Sequence, residues 1–121
     1  MKIRLHEIEL GSADVQKSTN FFQQLLDLKP AVQQNGLTVF QSGQQNLDFN
    51  LSNHLAQNTI AVSFLTDDLT AIEQRLKDAG IAYEGPSPSH LGMNCLQFKS
   101  PDGHIIKVNT ATASSPAWLK V

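Results

Sequence analysis

Cysteine is nearly missing from this chain: of 121 residues, only Cys95 carries a thiol. An internal disulfide is thereby excluded, and without any Cys-x-x-Cys spacing so are the thiolate zinc cages. Nothing near Cys95 in the chain would activate it, so it reads as a structural thiol rather than a nucleophile. An excess of charge of one sign is missing too. Lys and Arg number 9 against 11 Asp and Glu, for a net charge of −2, which leaves no basic patch for a phosphate backbone and argues against nucleic acid as a partner. No apolar run approaches the roughly 18 residues of a membrane span, and the opening MKIRLHEIEL interrupts its apolar positions with charge, unlike a signal-peptide core. These absences predict a cytoplasmic protein with no membrane partner. What is present, 40% hydrophobic and 17% charged residues, suits one domain spanning 1–121 with a single buried core.

Along the chain the same grammar occurs twice. In the first pass Ile8 and Leu10 alternate with Glu7 and Glu9, which is the period of a strand. Ser12-Ala13-Asp14 then offers short polar side chains to cap a helix, on which Val15, Phe22, Leu25 and Leu26 recur at helical spacing until Lys29-Pro30. In the second pass Ile60, Val62 and Phe64 alternate, Asp67-Asp68 cap, and Leu69, Ile72, Leu76 and Ala79 form the stripe that Gly80 ends. Asp14 and Asp68 stand 54 positions apart, and the same offset aligns Ile8 with Val62 and Phe22 with Leu76. After each helix comes a hairpin pattern, LTVFQSGQQNLDFN at 37–50 and LQFKSPDGHIIKVN at 96–109, now 59 apart. The extra residues fall in EGPSPSHLG, whose Gly, Pro and Ser predict a loop. Short strands around 31–34 and 82–83 complete two units, and the chain is an α+β domain with internal duplication.

This order, with DVQKSTNFFQQLLDL in the first unit and SPDGHIIKV closing the second, resembles the vicinal oxygen chelate superfamily of glyoxalase I, bleomycin-resistance proteins, fosfomycin-resistance enzymes and extradiol dioxygenases. The resemblance covers residues 3 to about 110. It implies two βαβββ repeats, about 3–52 and 58–110 with a tail at 111–121, that form a curved mixed sheet with a ligand cleft and helices on its outer face. It also implies a homodimer. Metal-dependent members place His, Glu, His and Glu at four cleft positions. Counting back seven from each capping Asp, and aligning the last strand of each unit, puts Glu7, Asp48, Ala61 and Lys107 there. A methyl offers no lone pair and an ammonium repels a cation, so the inherited metal site is expected to be lost and no cofactor is expected. His6 lies one residue off, and alternation turns it to the opposite face.

On the cleft side the same alternation sets Glu7, Glu9, Asp48, Asn50, Ser63, Lys107 and Asn109, a polar floor suited to hydrogen-bonding a small molecule. Lys107 is either a bridge between Glu7 and Asp48 or a partly solvated strand lysine; as a catalytic amine it is disfavoured, because carboxylates beside it would favour the charged, inert form. Phe40 and Leu65 fit the cleft walls, and Phe22, Phe49 and Phe64 the core under the helices. His54 and His90 are loop histidines, His104 is a turn residue, and residues 85–93 are a candidate lid. In the tail, Trp118 is the residue expected to pack, on its own sheet or on a partner subunit. Three functions fit: binding of a small polar molecule without metal, a lactoylglutathione-lyase-like lyase or isomerase holding a divalent cation at Glu7 and Asp48 with help from His6, and a dimeric interaction module with a vestigial cleft.

Overall fold

The computed structural model describes all 121 residues. Its elements are β1 (Ile3–Gly11), α1 (Val15–Leu26), β2 (Pro30–Gln34), β3 (Leu37–Gln41), β4 (Asp48–Ser52), β5 (Ile60–Thr66), α2 (Leu69–Asp78), β6 (Tyr83–Pro88), β7 (Asn94–Lys99) and β8 (Ile105–Thr110), with one 3-10 turn at His90–Gly92. Strand-helix-strand-strand-strand thus occurs twice, and the eight strands form a mixed sheet in the order β2-β3-β4-β1-β5-β8-β7-β6. No helix is long and apolar enough to cross a membrane. Contacts gather the chain into two compact units, residues 6–61 and residues 1–5 with 62–121, so that β1 and β5 each contribute to both.

In the first unit, residues 6–61, β2, β3 and β4 are antiparallel neighbours and β1 runs parallel to β4. The helix starts where the short aspartate side chain can reach back: Asp14 Oδ1 accepts from the Lys17 amide at 3.0 Å. α1 covers this part of the sheet through Phe22, whose ring lies 5.3 Å from Phe49 and 6.0 Å from Phe40. Thr19, fully buried, shares a 2.8 Å hydrogen bond with Thr38 below it. Two expectations fail here. Phe40 is core beneath the helix rather than a cleft wall, because Thr38 and Phe40 share the face that α1 covers. Leu25 and Leu26, which recur at the helical spacing of the apolar positions, are 65% and 60% exposed, so that spacing does not make them core. The β2–β3 hairpin turns at Asn35-Gly36, where Gly36 has φ +81° and a Cβ would stand 2.5 Å from the Asn53 side chain.

The second unit, residues 1–5 and 62–121, repeats the device. Asp68 Oδ1 accepts from the Ala71 amide at 3.0 Å, and α2 packs Leu69 and Leu76 onto Leu96 and Val108, with Phe64, Ile72, Tyr83, Phe98 and Ile106 around them. Tyr83 donates its hydroxyl to Glu73 at 2.8 Å, and this bond, with burial and the carboxylate's charge, holds the phenol above its ordinary pKa. The start of β1 is tied in through the Lys2 carbonyl, which accepts from the Asp67 amide at 3.2 Å and the Thr66 hydroxyl at 2.8 Å. The two hairpins do not share one register: Leu37 faces Ser52, whereas Leu96 faces Val108. The linking segment is shorter in the second, and turn length sets the pairing. Much of the loop expected over EGPSPSHLG is strand. β6 runs to Pro88 with a bulge between Glu84 and Ser87, and as an edge strand it tolerates prolines that lack the ladder donor. That leaves little free chain at 85–93 for a lid.

Candidate functional site

Parallel pairing of β1 with β4 sets Glu7 beside Asp48, Ile8 beside Phe49 and Glu9 beside Asn50. Phe49 faces α1, so by alternation the acidic and amide side chains all leave the opposite face. Glu7, Glu9 and Asn50 are buried there, and Asp48 is half-buried. Asn50 donates its Nδ2 to Glu7 Oε2 in a short hydrogen bond. Because a carboxylate oxygen accepts, this bond fixes the amide's orientation and leaves Asn50 Oδ1 as a buried acceptor with no partner. His6 Nε2 lies 3.2 Å from Glu7 Oε1. The expectation that alternation carries His6 away from the acidic cluster is therefore wrong at the level that matters. Strand period sets the direction of Cβ, but a long ring and a flexible glutamate on consecutive residues still meet at their tips.

In the second unit the division of faces is equally clear. Phe64, Ile106 and Val108 pack with α2, which puts Ser63, Leu65, Lys107 and Asn109 on the other face. Ser63 and Asn109 are buried, and Asn109 Oδ1 is a second buried acceptor without a partner. Lys107 is half-buried, opposite Gln97, and Asn109 stands opposite Cys95, itself half-buried. His54, His90 and His104 are exposed; the rings of His90 and His104 lie near Ser89 and Ser100, respectively. Leu65 is fully buried with Met93 and Leu119. Trp118, expected to pack, is 70% exposed, and the next residue packs in its place.

The four positions at which the resemblance implies metal ligands do not fit a divalent ion as a set. Glu7 and Asp48 supply carboxylates from adjacent strands, but Ala61 is a fully buried methyl and Lys107 brings an ammonium. The nitrogen donor that sequence reasoning set aside is His6, beside Glu7. Of the two large apolar neighbours in the tail, Trp118 and Leu119, the sequence favours the tryptophan, whereas it is Leu119 that packs.

A family model, that of the Glyoxalase/Bleomycin resistance protein/Dioxygenase superfamily, matches residues 4–108. Among curated proteins, none matches the sequence. Solved structures share the fold at low identity. A glyoxalase/bleomycin resistance protein/dioxygenase superfamily member from Vibrio splendidus 12B01 is 16% identical over 91% of this chain and 100% of its own, with a TM-score of 0.69. An NAD-dependent benzaldehyde dehydrogenase from Legionella pneumophila is 17% identical over 88% of this chain and 98% of its own, at 0.70. Methylmalonyl-CoA epimerase from Mycobacterium tuberculosis is 12% identical over 89% of this chain and 87% of its own, at 0.69.

Proposed function

Because the chain belongs to the glyoxalase/bleomycin resistance protein/dioxygenase superfamily, we propose that it binds a small polar molecule on the sheet face opposite its helices, without the family's usual metal. One observation carries this reading: the positions that would hold an ion include a buried methyl at Ala61 and an ammonium at Lys107, while buried amides at Asn50 and Asn109 each keep an acceptor oxygen free of protein partners. A polar group buried without a partner costs about 1–3 kcal/mol, a cost that a ligand donor offsets. Glu7, Glu9, Asp48 and Asn50 in one unit and Ser63, Lys107 and Asn109 in the other are the residues assigned to ligand contact. Two copies of the chain associate in this reading, and the molecule works in the cytoplasm.

A second reading is favoured by the contact between His6 and Glu7. With Asp48 paired to Glu7 across the strands, His6 and Glu7 offer a nitrogen and a carboxylate donor in the first unit, and an enzyme of glyoxalase type that keeps a divalent ion there would need neither Ala61 nor Lys107. Bound there, the ion would act as a Lewis acid on a substrate oxygen. The two readings separate by elemental analysis of protein incubated with Ni²⁺, Co²⁺, Mn²⁺, Fe²⁺ or Zn²⁺ and then dialysed, beside the Glu7→Ala, Asp48→Ala double variant. The leading reading expects no metal retained by either protein. Near-stoichiometric metal on the wild type that is lost from the variant overturns it in favour of the lyase or isomerase.

A further inference from the structure

We propose that the C-terminal tail, residues 111–121, is a strap lying over the binding face of the second unit, with Leu119 seated where an apolar group of the ligand docks. The inference rests on the reading of that face as a ligand surface. The face is fixed by packing: Phe64, Ile106 and Val108 turn toward α2, so Leu65, Lys107 and Asn109 turn away from it. Thr110 Oγ1 donates to the Thr66 carbonyl at 2.8 Å, joining the C-terminal ends of β5 and β8. Leu65 and Asn109, each one residue earlier, are therefore neighbours on that face. Leu119, 4% exposed, packs with Leu65 and Met93. The tail thus crosses the face that carries the polar floor, not the face that carries the helix.

Its fastenings are few and specific. Arg4 donates Nε and Nη2 to the Lys120 carbonyl at 3.0 and 2.8 Å. Thr112 Oγ1 donates to the Gly92 carbonyl at 2.5 Å. Gly92 has φ +69°, and a Cβ there would come within 2.7 Å of the Ser114 carbonyl oxygen, so only glycine lets the tail pass this closely. No helix or strand forms after Thr110, and the latch is one leucine with a guanidinium clasp rather than a hydrogen-bonded ladder.

Lifting Leu119 would bare Leu65 and Met93 next to Asn109, whose buried Oδ1 has no partner. That juxtaposition defines the ligand class: a small amphipathic molecule in which an aliphatic or aromatic group adjoins an N–H or O–H donor, such as a primary amide or an alcohol. A carboxylate of the same length lacks the donor.

Hexanamide and hexanoate, titrated into the full chain, a variant ending at Ala117, and full-length Leu119→Ser, test this by amide NMR. Hexanamide should bind both variants about tenfold more tightly than the full chain, because only the full chain must first release the latch. In the full chain it should shift the Trp118, Leu119 and Lys120 resonances together with that of Asn109. Leu119→Ser keeps the test decisive if truncation harms folding. Asn109→Leu should abolish the preference for hexanamide over hexanoate. Equal affinity for all three chains overturns the strap while leaving the binding face intact; equal binding of the two probes overturns the donor assignment. If neither probe moves the Ser63, Lys107 or Asn109 resonances in any chain, the strap assignment and the binding reading beneath it both fall.

Discussion

Asn50 donates its side-chain amide to Glu7 across the parallel pair β1 and β4, two residues along β4 from Asp48, the strand partner of Glu7. That bond preorganises the acidic half of the face, since it pins the Glu7 carboxyl group in a buried place. Replacing the donor by an apolar residue of similar size leaves the Glu7 oxygen buried with one partner fewer. Asn50→Leu should lower stability by about 1–3 kcal/mol, and Asn50→Asp by more, because two acceptors then face each other. Urea unfolding of both variants beside the wild type checks this; a wild-type midpoint in Asn50→Leu would show that the bond holds nothing.

The exposed end of α1 carries a prediction about association. Phe21, Leu25 and Leu26 are 55%, 65% and 60% exposed, three large apolar side chains in one short stretch, which is more than scattered surface residues explain. On the proposal that two copies associate, Leu25→Lys with Leu26→Lys should halve the solution mass measured by light scattering while shifting the stability of the single chain by no more than about 0.5 kcal/mol. A monomeric wild type, or a dimer indifferent to both lysines, would remove α1 from the interface.

Tyr83 is the only tyrosine, so its ionisation can be followed by phenolate absorbance without interference. Its hydroxyl donates to Glu73, and the folded-state pKa is raised above 10.0. The unfolded chain therefore loses this proton first on alkaline titration, and the bond's contribution to stability, complete below pH 10.0, disappears as pH climbs through the folded-state value. Glu73→Gln should bring the titration back toward 10.0 and flatten the alkaline loss of stability. An unchanged titration curve would mean that the carboxylate does not reach the phenol in solution.

The two capping aspartates allow a matched comparison. Asp14 and Asp68 each accept from the amide three residues on, at the same 3.0 Å. Asp14→Ala and Asp68→Ala should therefore cost about 1 kcal/mol each, measurable as paired shifts in the urea midpoint. A large difference between them would show that one helix start is held chiefly by packing.

Much of this protein was legible before any coordinates. Helix starts are local events, governed by a polar side chain within reach of the next free amides, and both aspartates were found from sequence. Alternation is local too, so the side of the sheet taken by Glu7, Glu9, Asp48 and Asn50 follows from Phe49 and Ile8 taking the other, and the counting that sets Glu7 and Asp48 at equivalent positions agrees with their pairing between β1 and β4. What sequence could not decide is what covers a face and how far a side chain reaches. Leu25 and Leu26 have the spacing of core residues, yet stay exposed. Phe40 was assigned to the wrong side, since a short edge hairpin carries too few residues to reveal its register. His6 meets Glu7 through side-chain length that strand period ignores. The tail has no period at all, and only the folded second unit, with Leu65 and Met93 bared on the face away from α2, selects Leu119 over Trp118 as the residue to bury. Local periodicity determined the elements and their polar sides, and long-range packing decided which apolar groups found partners.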